Sequence, residues 1–174
     1  MNRGRSEGKR ALPSLTPGRW LVIVAGFVVF VAVSFVLFIS SADSEYRKAE
    51  NQAIRVAKEQ GELVKVLDSD RHTWQETVWI VTGEDAGGEQ WTVFELENEV
   101  VRKKASENLN ERQMLDKFAA AHTGKPIRIM PAWFNGQPAW EIRYWNESSE
   151  DRQSLDFYSF EDGSLIRTYV LSIQ

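Results

Sequence analysis

The stretch Ile127-Arg-Ile-Met-Pro-Ala-Trp-Phe-Asn-Gly-Gln-Pro-Ala-Trp-Glu-Ile-Arg-Tyr-Trp145 reads as two β-strands joined by a tight turn. Asn135-Gly136 supplies the two residues that best tolerate the positive φ angles of a two-residue hairpin. Alternation then sorts the second strand: Trp140, Ile142 and Tyr144 share one face, while Glu141, Arg143 and Trp145 share the other. Trp145 is therefore expected to point outward, and Trp133 and Phe134, just before the turn, to project from the hairpin tip.

Working outward, the preceding segment opens a helix at Glu111. Asn110 can cap it, Gln113 stands three residues on in the reciprocal capping position, and Leu109 with Met114 can staple it. Met114, Leu115, Phe118 and Ala119 form its apolar stripe, and Gly124 and Pro126 end it. After the hairpin, Leu155–Phe160 and Leu165–Leu171 read as two more strands around the turn Glu161-Asp162-Gly163. Residues 108–174 thus form a unit of one helix and four strands.

A similar unit precedes it, over residues 43–107. Glu45–Gln60 carries Tyr46, Ala49, Ala53, Val56 and Ala57 on one stripe and stops at Gly61. Strands are expected at Leu63–Leu67, Thr77–Thr82, Gln90–Leu96 and Val100–Lys104. Glu50-Asn-Gln aligns with Glu111-Arg-Gln, Val78 and Ile80 with Trp140 and Ile142, and Leu96 and Arg102 with Phe160 and Arg167, at offsets growing from 61 to 65. The expected fold is α+β: two tandem modules, each a helix packed on an antiparallel sheet.

Ahead of both lies Trp20–Ile39, twenty residues without a charge, enough to cross a hydrocarbon core of roughly 30 Å. The tail over residues 1–19 lacks apolar periodicity and is expected to be disordered. It carries Arg3, Arg5, Lys9, Arg10 and Arg19 against Glu7, a net charge of +4, whereas the remaining 16 basic and 24 acidic residues give −8. Basic residues beside a span resist translocation, so these five set the N-terminus in the cytoplasm and the modules outside the cell membrane. The competing reading, a signal peptide cut after Ala42, has small residues at Ser40 and Ala42 but an apolar run longer than the usual 7 to 15 residues.

The chain has no cysteine, so an exported fold of this kind stands without disulfides, as suits a bacterial cell-surface protein. Its acidic balance disfavours nucleic acid. Arg102-Lys103-Lys104, the one basic run, is read as the solvated end of a strand. Only His72 and His122 are present; His72 is read in a solvated turn, Asp68–His72, and His122 at a helix C-terminus, where an imidazolium suits the dipole. No metal or cofactor is expected. Ser6-Glu-Gly-Lys9 matches a Ser-x-x-Lys pattern with no domain around it, and the carboxylates, Glu141 among them, are assigned to turns and polar strand faces. No catalytic residue, and no enzyme, is expected. Six tryptophans outside the span are the unusual feature, and Trp133, Phe134 and Trp145 are the candidates for contact with a partner or glycan.

The single span, Tyr46-Arg-Lys-Ala-Glu50, Val78-Trp-Ile-Val-Thr-Gly83 and Ala139-Trp-Glu-Ile-Arg-Tyr144 together resemble the YpmB/TseB-like proteins of Gram-positive bacteria, over about residues 20–174. The resemblance implies two cystatin-like or PepSY-like modules outside the membrane and regulation of cell-wall elongation through contact with a class B penicillin-binding protein. It implies no catalytic residues. Two further expectations stand beside it: a PepSY-like module restraining an extracellular protease through the Asn135-Gly136 hairpin, and a glycan-binding module.

Overall fold

In the computed structural model the described residues are 17–146 and 152–171. Arg3, Arg5, Lys9 and Arg10, the expected tail disorder as far as residue 16, and the acidic residues Glu147, Glu150 and Asp151 lie outside them. The chain divides into two compact units, residues 1–46 and 47–174.

Helix α1 runs Pro17–Glu59. Its stretch Pro17–Phe38 is the one helix among the described residues long and apolar enough to cross a membrane, with mean hydropathy 3.1 and none of it buried by protein. A separate helix beginning near Glu45 was the sequence expectation. Between Phe27 and Gln60 the chain has neither glycine nor proline, so nothing local interrupts the hydrogen-bond ladder.

Within residues 47–174, the end of α1 lays Ala53 and Ala57 against Val81 and Val93 of the first sheet. That sheet contains β1 (Lys65–Thr73), β2 (Thr77–Glu84), β3 (Gln90–Glu95) and β4 (Val100–Lys104), antiparallel in chain order. The second has β5 (Pro126–Phe134), β6 (Gln137–Trp145), β7 (Gln153–Ser159) and β8 (Leu165–Leu171) in the same order. Helix α2 (Glu111–Ala121) lies between the sheets in sequence and begins with the expected box: Asn110 Oδ1 accepts from Gln113 N–H at 2.9 Å, and Gln113 Oε1 accepts from Asn110 N–H at 3.0 Å.

The register corrects the internal alignment. On β2 it is Trp79 and Val81 that face α1, while Val78 and Ile80 face the opposite way. On β6, Trp140 and Ile142 join Met114 and Phe118 of α2. The helix-facing equivalents are therefore Trp79 with Trp140 and Val81 with Ile142, at the offset of 61 that relates Glu50 to Glu111. Aligning Val78 with Trp140 slips the strand by one residue and exchanges its faces. Both faces of β2 are apolar because both are covered: one by α1, the other by the second sheet.

Gly83, on β2, lies beside the segment by which the chain enters β1. A Cβ there would meet the Lys65 carbonyl oxygen at 2.4 Å and Leu63 Cδ1 at 2.9 Å. Gly83→Ala should lower stability by about 1–3 kcal/mol through overpacking against backbone that cannot yield, measured as a fall in the denaturation midpoint of the full chain. An unchanged midpoint would show that the entry to β1 is slack.

The β7–β8 turn is held by Asp162, whose Oδ1 accepts from Ser164 N–H at 2.9 Å and from Ser164 Oγ at 2.8 Å. These bonds hold its carboxyl at about 2, below its ordinary range. Because the folded value is the depressed one, this contribution is present above the unfolded value near ~3.9 and is lost as pH falls through about 2. A carboxyl-carbon NMR titration should give that low midpoint, and Ser164→Ala should move it up toward the ordinary value.

Candidate partner surface

The hairpin that decides the second sheet forms as expected. Asn135 and Gly136 take φ of 52° and 76°, as a primed turn needs. Its tip is not free, however. Gln75, in the β1–β2 turn, accepts from Asn135 N–H at 2.8 Å and donates to Asn135 Oδ1 at 2.9 Å, so one hairpin is docked on another.

Trp133 and Phe134 are accordingly buried, at 4% and 0% exposure, which corrects the expectation that they project. The cause is that both faces of β5 are covered. Trp133 lies 5.8 Å from the Phe94 ring of the first sheet. Phe134 stacks on Phe157 at 4.1 Å and 8°. Trp145 is 53% exposed, as alternation indicates, and Trp74 is 39% exposed above Phe157 and Tyr169 at 5.4 and 5.2 Å. Beside Trp145 on the same face, Arg143 donates from Nε to Gln153 Oε1 at 2.5 Å.

Beneath Trp74 is a buried polar junction that the sequence reading missed. His72 belongs to β1 rather than to a solvated turn, and only 3% of it is exposed. Its Nε2 lies 2.9 Å from Glu141 Oε2, and its Nδ1 accepts the Trp133 N–H at 3.3 Å. With Nδ1 accepting, the hydrogen-bond network assigns the ring proton to Nε2, donated to Glu141. Glu141, expected on a polar strand face, is 9% exposed because β1 crosses that face. No sequence signal marks the pair: Asp68-Ser-Asp-Arg-His72 has no apolar alternation, and its partner is 69 residues away.

His122 caps the C-terminus of α2 and stacks on Phe118, ring centroids 4.4 Å apart. Its Nε2 is 3.5 Å from Asp156 Oδ2 and 3.4 Å from the Tyr158 hydroxyl. Tyr158 donates to Asp156 Oδ2 at 2.9 Å, and burial together with the Asp156 charge pushes the phenol above its usual range. The cluster ties the end of α2 to the second sheet. Arg102 also departs from expectation: it lies 4.2 Å over the Trp91 ring and pairs with Glu62, so the strand end is not simply solvated.

A cleft of about 260 Å³ runs between the first sheet and the entry to α2, lined by Asp68, Thr82, Trp91, Leu109, Trp140 and Phe160 among others. Among the described residues no group of three or more His, Cys, Asp or Glu side chains is placed to hold a metal ion.

These features define an α+β chain with one N-terminal helix apolar enough to cross a membrane and two four-stranded antiparallel sheets joined through a shared core. Residues 52–94, covering the end of α1 and strands β1 to β3, match the cell wall elongation regulator TseB-like domain. Among solved structures, the YpmB protein from Bacillus subtilis is similar with a TM-score of 0.64 at 18% identity, over 70% of this chain and 97% of that one. A putative lipoprotein from Clostridium difficile 630 aligns over 70% of this chain and 91% of that one at 10% identity, with a TM-score of 0.36. No curated protein matches the chain. The domain match covers residues 52–94, about a quarter of the chain, and the likeness to YpmB is one of fold.

Proposed function

We propose that the chain is a membrane-anchored, non-enzymatic regulator of cell-wall elongation in a Gram-positive cell, and that it binds a class B penicillin-binding protein. The TseB-like match over residues 52–94 carries this reading. In it, the basic tail stays in the cytoplasm, and modules over residues 43–107 and 108–174 work outside. Anchoring raises the effective concentration of the modules toward partners in the same membrane, so a modest interface suffices.

Of the three aromatic candidates, Trp145, the exposed one, is the proposed contact, while Trp133 and Phe134 are buried in the core on either face of β5. The docked Asn135-Gly136 tip argues against insertion of that loop into a protease cleft. A photo-crosslinking residue at Trp145 in cells should capture a wall-synthesis enzyme. Efficient crosslinking that recovers other proteins but no penicillin-binding protein would sink the partner assignment. Orientation is tested separately by labelling single cysteines in the second sheet with a membrane-impermeant thiol reagent in intact cells.

A further inference from the structure

Strands β1, β4, β5 and β8 form the margins of the two sheets. Exposed strand edges invite pairing, and proteins blunt them with charge, proline or bulges. β1 carries Lys65, Asp68, Asp70 and Arg71 and a register break between Val66 and Asp68. β4 ends in Arg102-Lys103-Lys104. β5 contains Pro126 and Pro131 and breaks register between Pro126 and Arg128. β8 is different. Leu165-Ile-Arg-Thr-Tyr-Val-Leu171 holds one charge and no proline, and its irregularity falls at Ile166, leaving Arg167–Leu171 regular. Leu165 and Val170 are 56% and 50% exposed.

This edge is also self-complementary. Two identical edges can pair antiparallel about a two-fold axis normal to the sheet only if the axis passes through a residue, because opposed residues must lie on the same face. An axis at Arg167 sets like charges against each other, and one at Tyr169 sets Arg167 against Leu171. An axis at Thr168 sets Arg167 against Tyr169 of the second copy, on both sides of the axis. It also brings Val170 and Leu171 to the Ile166 and Leu165 end of the second copy. Apolar groups then meet apolar groups, and the one guanidinium meets a tyrosine ring. Arg167 makes no ion pair among the described residues, so no existing bond is given up.

We infer that β8 is a homodimer edge: two copies of this chain pair their β8 strands antiparallel about Thr168, joining their second sheets into one eight-stranded sheet. This pairing is independent of the wall-synthesis partner proposed above.

The absence of cysteine makes the test direct. In the full chain in detergent micelles, Thr168→Cys puts two thiols at the axis, with Cα atoms about 4.5–5.5 Å apart, a separation a disulfide spans. Oxidised Thr168→Cys should form disulfide dimer at least tenfold faster than Lys103→Cys on the β4 edge, the control for two chains sharing a micelle. Sedimentation of the unmodified chain should show a concentration-dependent dimer. Val170→Lys, at an exposed position, should weaken that dimer at least tenfold with the denaturation midpoint unchanged. Equal crosslinking of the two cysteine variants, or an unmodified chain that stays monomeric at all concentrations, would overturn the inference. So would a Thr168→Cys adduct in membranes formed with a different protein in place of a second copy.

Discussion

Phe94→Ala should destabilise residues 47–174 by ~3–5 kcal/mol, the cost of deleting a large aromatic from a packed core. Phe94 is fully buried, 5.8 Å from Trp133 and 5.3 Å from Phe160 in ring-centroid distance. Phe94 belongs to the first sheet, while its two neighbours belong to the second sheet and the turn that follows β7. Their rings, with Val78, Ile80, Met114, Phe118 and Trp140, form one continuous cluster. Cavity formation at Phe94 therefore weakens both modules at once. Denaturation of the full chain, followed by tryptophan fluorescence and by far-ultraviolet circular dichroism, should give one coincident transition that moves as a whole. Two separated transitions, with only the first-sheet signal shifting, would mean that the modules fold independently and the shared cluster contributes little.

The second large effect is expected at the buried junction. His72→Ala strands Glu141 without its donor and the Trp133 N–H without its acceptor, in a site where little water can substitute. Each unsatisfied buried group costs about 1–3 kcal/mol, so a combined loss of about 2–6 kcal/mol is expected for the two. The asymmetry of such pairs supplies the sharper measurement. Replacing both partners, as His72→Leu with Glu141→Leu, should recover much of the loss, because no polar group then remains unpaired except the Trp133 amide. A double-mutant cycle on denaturation midpoints reads the coupling directly. If His72→Ala stays within about 0.5 kcal/mol of the unmodified chain, as ordinary surface changes do, the junction is structurally idle.

The features legible in the sequence are those with local causes. Asn110 and Gln113 cap α2 through atoms three residues apart, and Asn135-Gly136 makes its turn from its own φ preferences. Alternation along 139–145 sorted the faces correctly and put Trp145 outside. The candidate site was only partly legible. Trp133 and Phe134 have the same side-chain chemistry whether they project or pack, and only the covering of both faces of β5 distinguishes the two. The one-residue slip of the internal alignment has the same origin. Val78 and Ile80 look like the core face of β2, and they are a core face, but of the cluster shared with the second sheet rather than of the one under α1.

By itself, then, the sequence determined an apolar stretch from Trp20 to Ile39 long enough to span a bilayer, an α+β fold with two sets of four antiparallel strands, the cap of α2, the Asn135-Gly136 turn and the outward side of Trp145. Each follows from backbone preference or periodicity within a few residues. Tertiary structure alone decided which strand faces meet. It brought His72 to Glu141, packed Trp133 against Phe94 of the first sheet and Phe134 against Phe157, and left β8 as an edge strand with no proline and a single charge. The physical reason is that a strand's alternation states only that its two faces differ. Burial of either face is set by whatever else packs against it, and here both sheets are covered by chain more than sixty residues away in sequence.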